Sequence, residues 1–243
     1  MFRHQGKTRT FKHNLRIAVI LSFVAGIVNV SGYLFFKQLT TNVTGHFALF
    51  INDLSEFNFW KGTVYFIYIL SFFFGSFVSS FLIEKFKANK KMNVFVIPIL
   101  IECLILIGIG TWSNFMELSL PDLVVCFLLF AMGLQNSLVT KISNAIVRTT
   151  HLTGLFTDLG IEISQLFFPK SYPNKTGIKA TIKLRLYIII SFFIGGLFGG
   201  YLYSEANLKL NTLIVGGVIL IFSLFYDDVR YAIIKTKRKH RLK

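Results

Sequence analysis

Long apolar runs alternate with short polar breaks along this chain, on a scale set by bilayers rather than globular cores. Six runs, at about 15–36, 62–83, 93–113, 122–142, 184–203 and 211–226, are at or near the ~17–25 residues a helix needs to cross roughly 30 Å of hydrocarbon. They predict six transmembrane helices. Two further stretches, 47–57 and 156–168, are too short or too polar to cross, and predict broken or re-entrant half-helices that dip back toward the interior.

Composition agrees with that division. Apolar residues make up 53% of the chain, with 28 Phe and only 15% charged residues, too little polar surface for a soluble domain of this length. The spans consume nearly the whole chain, which leaves no room for a nucleotide-binding domain. The expected architecture is one all-α integral membrane domain over 1–243, with a basic cytoplasmic tail at 229–243.

The formal net charge of +15 raises the question of nucleic acid, and the placement of the 26 Lys and Arg residues answers it. Arg3, Lys7, Arg9, Lys12 and Arg16 precede the first run. Lys85, Lys87, Lys90 and Lys91 follow the second, a further group lies between Lys170 and Arg185, and others close the chain after Tyr226. The alternate connections, 37–61, 114–121 and 204–210, hold only Lys37, Lys61 and Lys209. This is the positive-inside asymmetry: it places both termini in the cytoplasm of a cell (inner or plasma) membrane, residue 88 inside and residue 116 outside. Anionic lipid is a sufficient partner for the basic tail, and no nucleic acid is expected.

One motif occurs twice. Thr40-Thr41-Asn42-Val43-Thr44-Gly45 reappears as Thr149-Thr150-His151-Leu152-Thr153-Gly154, each time after a run containing Gly-x-x-Asn, Gly26 to Asn29 and Gly133 to Asn136. Ser71 to Ser76 likewise matches Ser191 to Gly196, and one insertion of about eleven residues near 169–179 reconciles the alignments. Three spans per unit reverse orientation, so the halves, 1–115 and 120–228, are expected to be inverted repeats.

Each motif supplies groups suited to a helix break in a wet cavity. Thr44 and Thr153 are expected N-caps, Gly45 and Gly154 permit close approach, and free N–H groups attract negative charge. Thr41, Asn42, Thr150 and His151 line the same breaks, with His151 a candidate proton relay. Asn29, Gln135 and Asn136 are buried amides that need either a ligand or interhelical partners. Four acids at membrane depth, Asp53, Glu102, Asp158 and Glu162, are the ion-coupling candidates; Asp53 and Glu162 occupy matched positions. For Glu102 the alternative is a buried bond or salt bridge, with Lys141 as partner. Cys103 and Cys126 read as apolar fillers, since neither disulfide nor metal spacing is present.

These motifs resemble the YoaK family of small multipass bacterial membrane proteins, above all Gly133-Leu134-Gln135-Asn136 and the block Arg148 to Gly160. Two positions depart from the family pattern: Asn29 stands where Asp is expected, and His46 where the motif reads Thr-Gly-Asn. The first removes an ionisable group. The resemblance implies an inner-membrane protein with a transport role and names no substrate.

The expected function is secondary transport of a small organic, anionic solute by alternating access, with proton coupling. A non-transporting membrane scaffold or assembly protein is the alternative. Neither cofactor nor enzymatic chemistry is expected, since no nucleophile–base set or metal cluster is legible. Phe-rich helix faces suit lipid or a homo-oligomer.

Overall fold

The computed structural model describes residues 10–87, 94–113, 120–143 and 147–241, with side chains described through residue 226. Residues 88 and 116, the flanking Arg3, Lys7, Arg9, Lys90 and Lys91, and the side chains of the basic tail lie outside the described residues. Eight α-helices follow one another: α1 Phe11–Phe36, α2 Thr44–Ser55, α3 Phe59–Phe86, α4 Val96–Trp112, α5 Pro121–Ile142, α6 Leu152–Gln165, α7 Lys175–Ser204 and α8 Thr212–Arg241. Among the described residues there is no strand.

Local sequence explains several ends. Lys37 adopts the left-handed region (φ 56°) and its N–H returns to the Tyr33 carbonyl, which stops α1. Pro121 opens α5, where its missing N–H costs nothing. The Asn174 side chain accepts the Gly177 N–H at 3.0 Å and starts α7 well before the expected 184. Hydropathy marks where an apolar run ends, whereas Lys175, Lys179 and Lys183 continue the same helix as a polar extension.

Among the described residues, five helices are long and apolar enough to cross a membrane: α1, α3, α5, α7 and the segment Lys209–Tyr226. The fourth helix in chain order is apolar but only 17 residues long. At 12 and 14 residues, α2 and α6 extend only about 18–21 Å at 1.5 Å per residue, short of a crossing.

Burial separates the long helices into two classes. In α1 and α5, 61% of the most apolar window is buried; in α3 and α7 only 22% is. The first pair forms the centre. The second pair turns Phe73, Phe74 and Phe77, and Phe193, Leu197 and Phe198, outward as an apolar belt.

Close backbone contacts set the helix directions. A Cβ on Gly195 would lie 2.0 Å from the Phe23 carbonyl oxygen, and one on Gly199 2.9 Å from Ile27 Cα, so α1 and α7 run parallel. A Cβ on Gly75 would lie 2.0 Å from the Phe130 oxygen, and Ser76 Oγ donates to Gly133 O at 3.1 Å, so α3 and α5 are parallel too. Gly110 faces Ile214 and Gly217 faces Ile107, which makes α4 and α8 antiparallel. Glycine is required at the α1–α7 and α3–α5 crossings because any side chain would enter a neighbouring backbone, whereas at α4–α8 it would first meet the Ile214 and Ile107 side chains.

Candidate functional site

The motif threonines fasten loops to the two central helices. Thr41 Oγ1 donates to Asn29 Oδ1 at 2.8 Å; at the matching place Thr150 Oγ1 donates to Asn136 Oδ1 at 3.1 Å. Thr40, fully buried, donates to the Val28 carbonyl at 3.1 Å. Its counterpart Thr149 receives Gln135 Nε2 at 3.0 Å, and the same amide reaches Leu21 O at 3.1 Å. Asn136 Nδ2 is spent on Met132 O at 2.8 Å. These amides therefore find protein partners, although Gln135 Oε1 remains buried and unpartnered among the described residues.

Two expectations need correction. Thr44 and Thr153 are not N-caps: the helices begin after Val43 and His151, with no side-chain cap bond at either, and both threonines are exposed. The hydroxyls that do work lie three or four residues earlier and bond the loop to the preceding helix instead. Lys141 is not the partner of Glu102. Its Nζ lies 2.7 Å from Glu84 Oε1 and ties the ends of α5 and α3 together.

Past each motif, the two copies differ. At the second, a cavity of about 350 Å³ opens beside Arg148, His151, Asp158 and Arg185, with Leu155 and Leu184 as apolar wall and Gly154 and Thr181 at its edge. Arg185 is the hub. Its Nε and Nη2 reach both Glu162 oxygens at 2.9 and 2.8 Å, and its Nη1 reaches Asp158 Oδ2 at 3.0 Å. A bidentate fork of this kind fixes the guanidinium plane. Arg148 Nη1 contacts His151 Nδ1 at 3.3 Å, and the His151 ring lies over Gly154, where a Cβ would approach it to 2.7 Å.

At the first copy, aromatic rings pack against one another at the corresponding place. His46 is fully buried and donates from Nε2 to Leu39 O at 2.6 Å, leaving Nδ1 without a partner. Its ring lies 6.0 Å from Tyr65 and 5.1 Å from Tyr68, and the Tyr68 hydroxyl donates to the Asp122 carboxylate. Burial lowers the His46 pKa, against the pull of the Leu39 carbonyl. Asn42 and Gly45 sit half-buried in this loop; Asp53, half-buried on α2, keeps Oδ2 unpartnered.

Glu102 stands apart from both loops. It is fully buried on the inward face of α4, next to the buried Ile99 and Leu106, and neither carboxyl oxygen has a hydrogen-bond partner among the described residues. A carboxylate left so would cost several kcal/mol, so the site suits a neutral acid or one that exchanges a proton with a wet state.

The sequence brought Asp158 and Glu162 forward but not Arg185, which binds both. An available signal was the i, i+4 acid pair on one helix face, which calls for a cation, and an Arg entering an apolar run. The ring cluster around His46 had no comparable signal, because aromatic residues are too common here to single out.

The family model "Protein of unknown function (DUF1275)" matches residues 17–226. The chain is 26% identical over 182 residues, 73% of its own length and 79% of the relative's, to "UPF0700 transmembrane protein YoaK" of Bacillus subtilis (strain 168). No solved structure matches. The family match runs through both motif copies and through seven of the eight helices in full or in large part; the chain is a helical membrane protein and belongs to the DUF1275 family, as its YoaK-like motifs suggest.

Proposed function

We propose that this protein is a secondary transporter of a small organic solute carrying an anionic group. In this reading the chain crosses the membrane six times as two inverted three-span repeats, with both termini cytoplasmic, and works by alternating access about the two motif loops. One observation carries it: the two loops are fastened by the same Thr-to-Asn bond, yet one borders an open, charged cavity and beside the other His46 packs against Tyr65 and Tyr68. An alternating-access protein caught in one state would have one such vestibule open and its counterpart closed. Matched glycine crossings of α1 on α7 and α5 on α3 support a pseudo-twofold exchange of the halves.

Glu102 is the coupling site in this reading, because a buried acid with no hydrogen-bond partner among the described residues is costly in the membrane and gains most from carrying a proton. Asp158 and Glu162 act locally, through Arg185. A scaffold role is the second reading, favoured by the internal satisfaction of Thr41 and Thr150, which leaves their hydroxyls no lone task beyond holding loops.

The test is current measurement on proteoliposomes challenged with a panel of small carboxylates and amino acids under an imposed pH gradient. Transport predicts a solute-dependent current whose proton dependence disappears in Glu102→Gln. Folded, correctly inserted protein that passes no member of the panel leaves the scaffold reading standing. Cysteine labelling at residues 116 and 88 tests the topology separately, with 116 reached from outside and 88 from inside; the reverse pattern overturns this topology and its cytoplasmic termini.

A further inference from the structure

The charges around the cavity are not equally committed. Arg185 spends its fork on Glu162, which is only 13% exposed, and its remaining nitrogen on Asp158. That pair is largely neutralised. Two charges of opposite sign are left with capacity to spare. Arg148 is exposed, and its contact among the described residues is one imidazole nitrogen, so most of its five donors are unused. Asp158 is half exposed and gives one oxygen to Arg185, leaving the other.

Between them lies a volume of about 350 Å³, walled on one side by the buried Leu155 and Leu184. That is at the small end of the ~300–1,000 Å³ typical of ligand pockets. An uncommitted cation, an uncommitted anion and an apolar wall describe the three parts of a small amino acid.

We propose that this cavity binds a zwitterion of the α-amino-acid class, its carboxylate on Arg148, its ammonium on Asp158 and its side chain against Leu155 and Leu184. A simple anion would satisfy Arg148 but would meet Asp158 with like charge, which is destabilising. A simple amine would meet Arg148 in the same way. His151, already in contact with Arg148, positions the guanidinium rather than contacting the ligand. The assignment names the solute class of the transporter proposed above, but binding does not depend on transport.

The experiment is thermal unfolding of the full-length protein in detergent with three probes of one carbon skeleton: L-leucine, isovalerate and isoamylamine, with inorganic phosphate as a fourth. Leucine is expected to raise the melting temperature saturably, and the other three to leave it unchanged at equal concentration. Arg148→Gln and Asp158→Asn should each weaken the leucine effect about tenfold or more, since each removes one charge-assisted contact. Arg148 is exposed and, among the described residues, its polar contact is with His151, so its variant tests the site even if Asp158→Asn fails to fold. Isovalerate matching leucine, phosphate acting where leucine does not, no shift with any probe, or an Arg148→Gln variant that responds like the parent would each overturn the proposal. A leucine shift without uptake keeps this site and removes the transporter; uptake without a leucine shift does the opposite.

Discussion

The two motif copies share a side-chain fastening, Thr to Asn, and part company in the residues around it. At the first, Leu39, His46 and Tyr65 occupy the positions that Arg148, Leu155 and Arg185 occupy at the second, counting from the motif threonines and from the paired Ser-Phe-Phe segments. Arg185 is drawn aside by two carboxylates, and a charged cavity lies beside it. His46 is held inward by the Leu39 carbonyl and backed by two tyrosines, so rings meet at the counterpart. The motif therefore sets where each loop lies. Residues outside it decide whether charged groups around a cavity or packed aromatic rings lie beyond.

The comparison can be broken first at the shared framework. Gly75→Val and Gly195→Val should be equally severe, each losing about 3 kcal/mol or more, because a Cβ at either would lie 2.0 Å from a carbonyl oxygen in the facing helix. Unfolding in a mild-to-denaturing detergent series would read both; a large loss at only one would break the equivalence of the crossings.

The next effect should fall on one copy alone. Glu162→Gln leaves a half-paired guanidinium and should cost about 2 kcal/mol, discounted from fully buried pairs because Arg185 is 20% exposed. Asp53→Asn, at the matched position but without an ion pair, should change stability by less than ~0.5 kcal/mol. Equal losses in chemical unfolding would argue that the acids do the same job after all.

A smaller and symmetrical loss is expected from Thr41→Val and Thr150→Val, each about 1 kcal/mol for one hydrogen bond to a side-chain amide. The combination Thr41→Val with Asn29→Leu should recover part of the loss, since neither group is then left unpaired. The least effect belongs to Thr44→Val and Thr153→Val. Both residues lack a capping bond, so shifts within ~0.5 kcal/mol are expected, and a loss near 1 kcal/mol would restore them as caps.

Much of the fold was legible in the sequence because the bilayer reads hydropathy directly. Five helices match expected apolar runs closely enough to be found from composition and length, and the two short helices fall where crossing was excluded. The ends were less legible. The seventh helix begins nine residues before its apolar run, because Lys175 to Lys183 keep helical geometry while leaving the hydrocarbon, and hydropathy carries no information about that.

The candidate site was legible in part. Asn29 with Thr41, and Asn136 with Thr150, were singled out as polar groups at membrane depth, and they do meet. Their role as fasteners rather than free ligand groups depends on distances that no spacing rule supplies. Arg185 shows the same limit from the other side, since its partners lie 23 and 27 positions earlier on another helix.

By itself, then, the sequence determined the class, the approximate place of the apolar helices, and the doubled motif, since each follows from local transfer energies and local patterns. Only the tertiary structure decided which threonines are spent internally, that Lys141 belongs to Glu84 and not to Glu102, and which motif copy borders a cavity. Those outcomes turn on pairing and packing between distant segments. Hydrogen bonds and ion pairs act over about 3 Å, and a chain's spacing does not reveal which of its many polar groups will be brought that close.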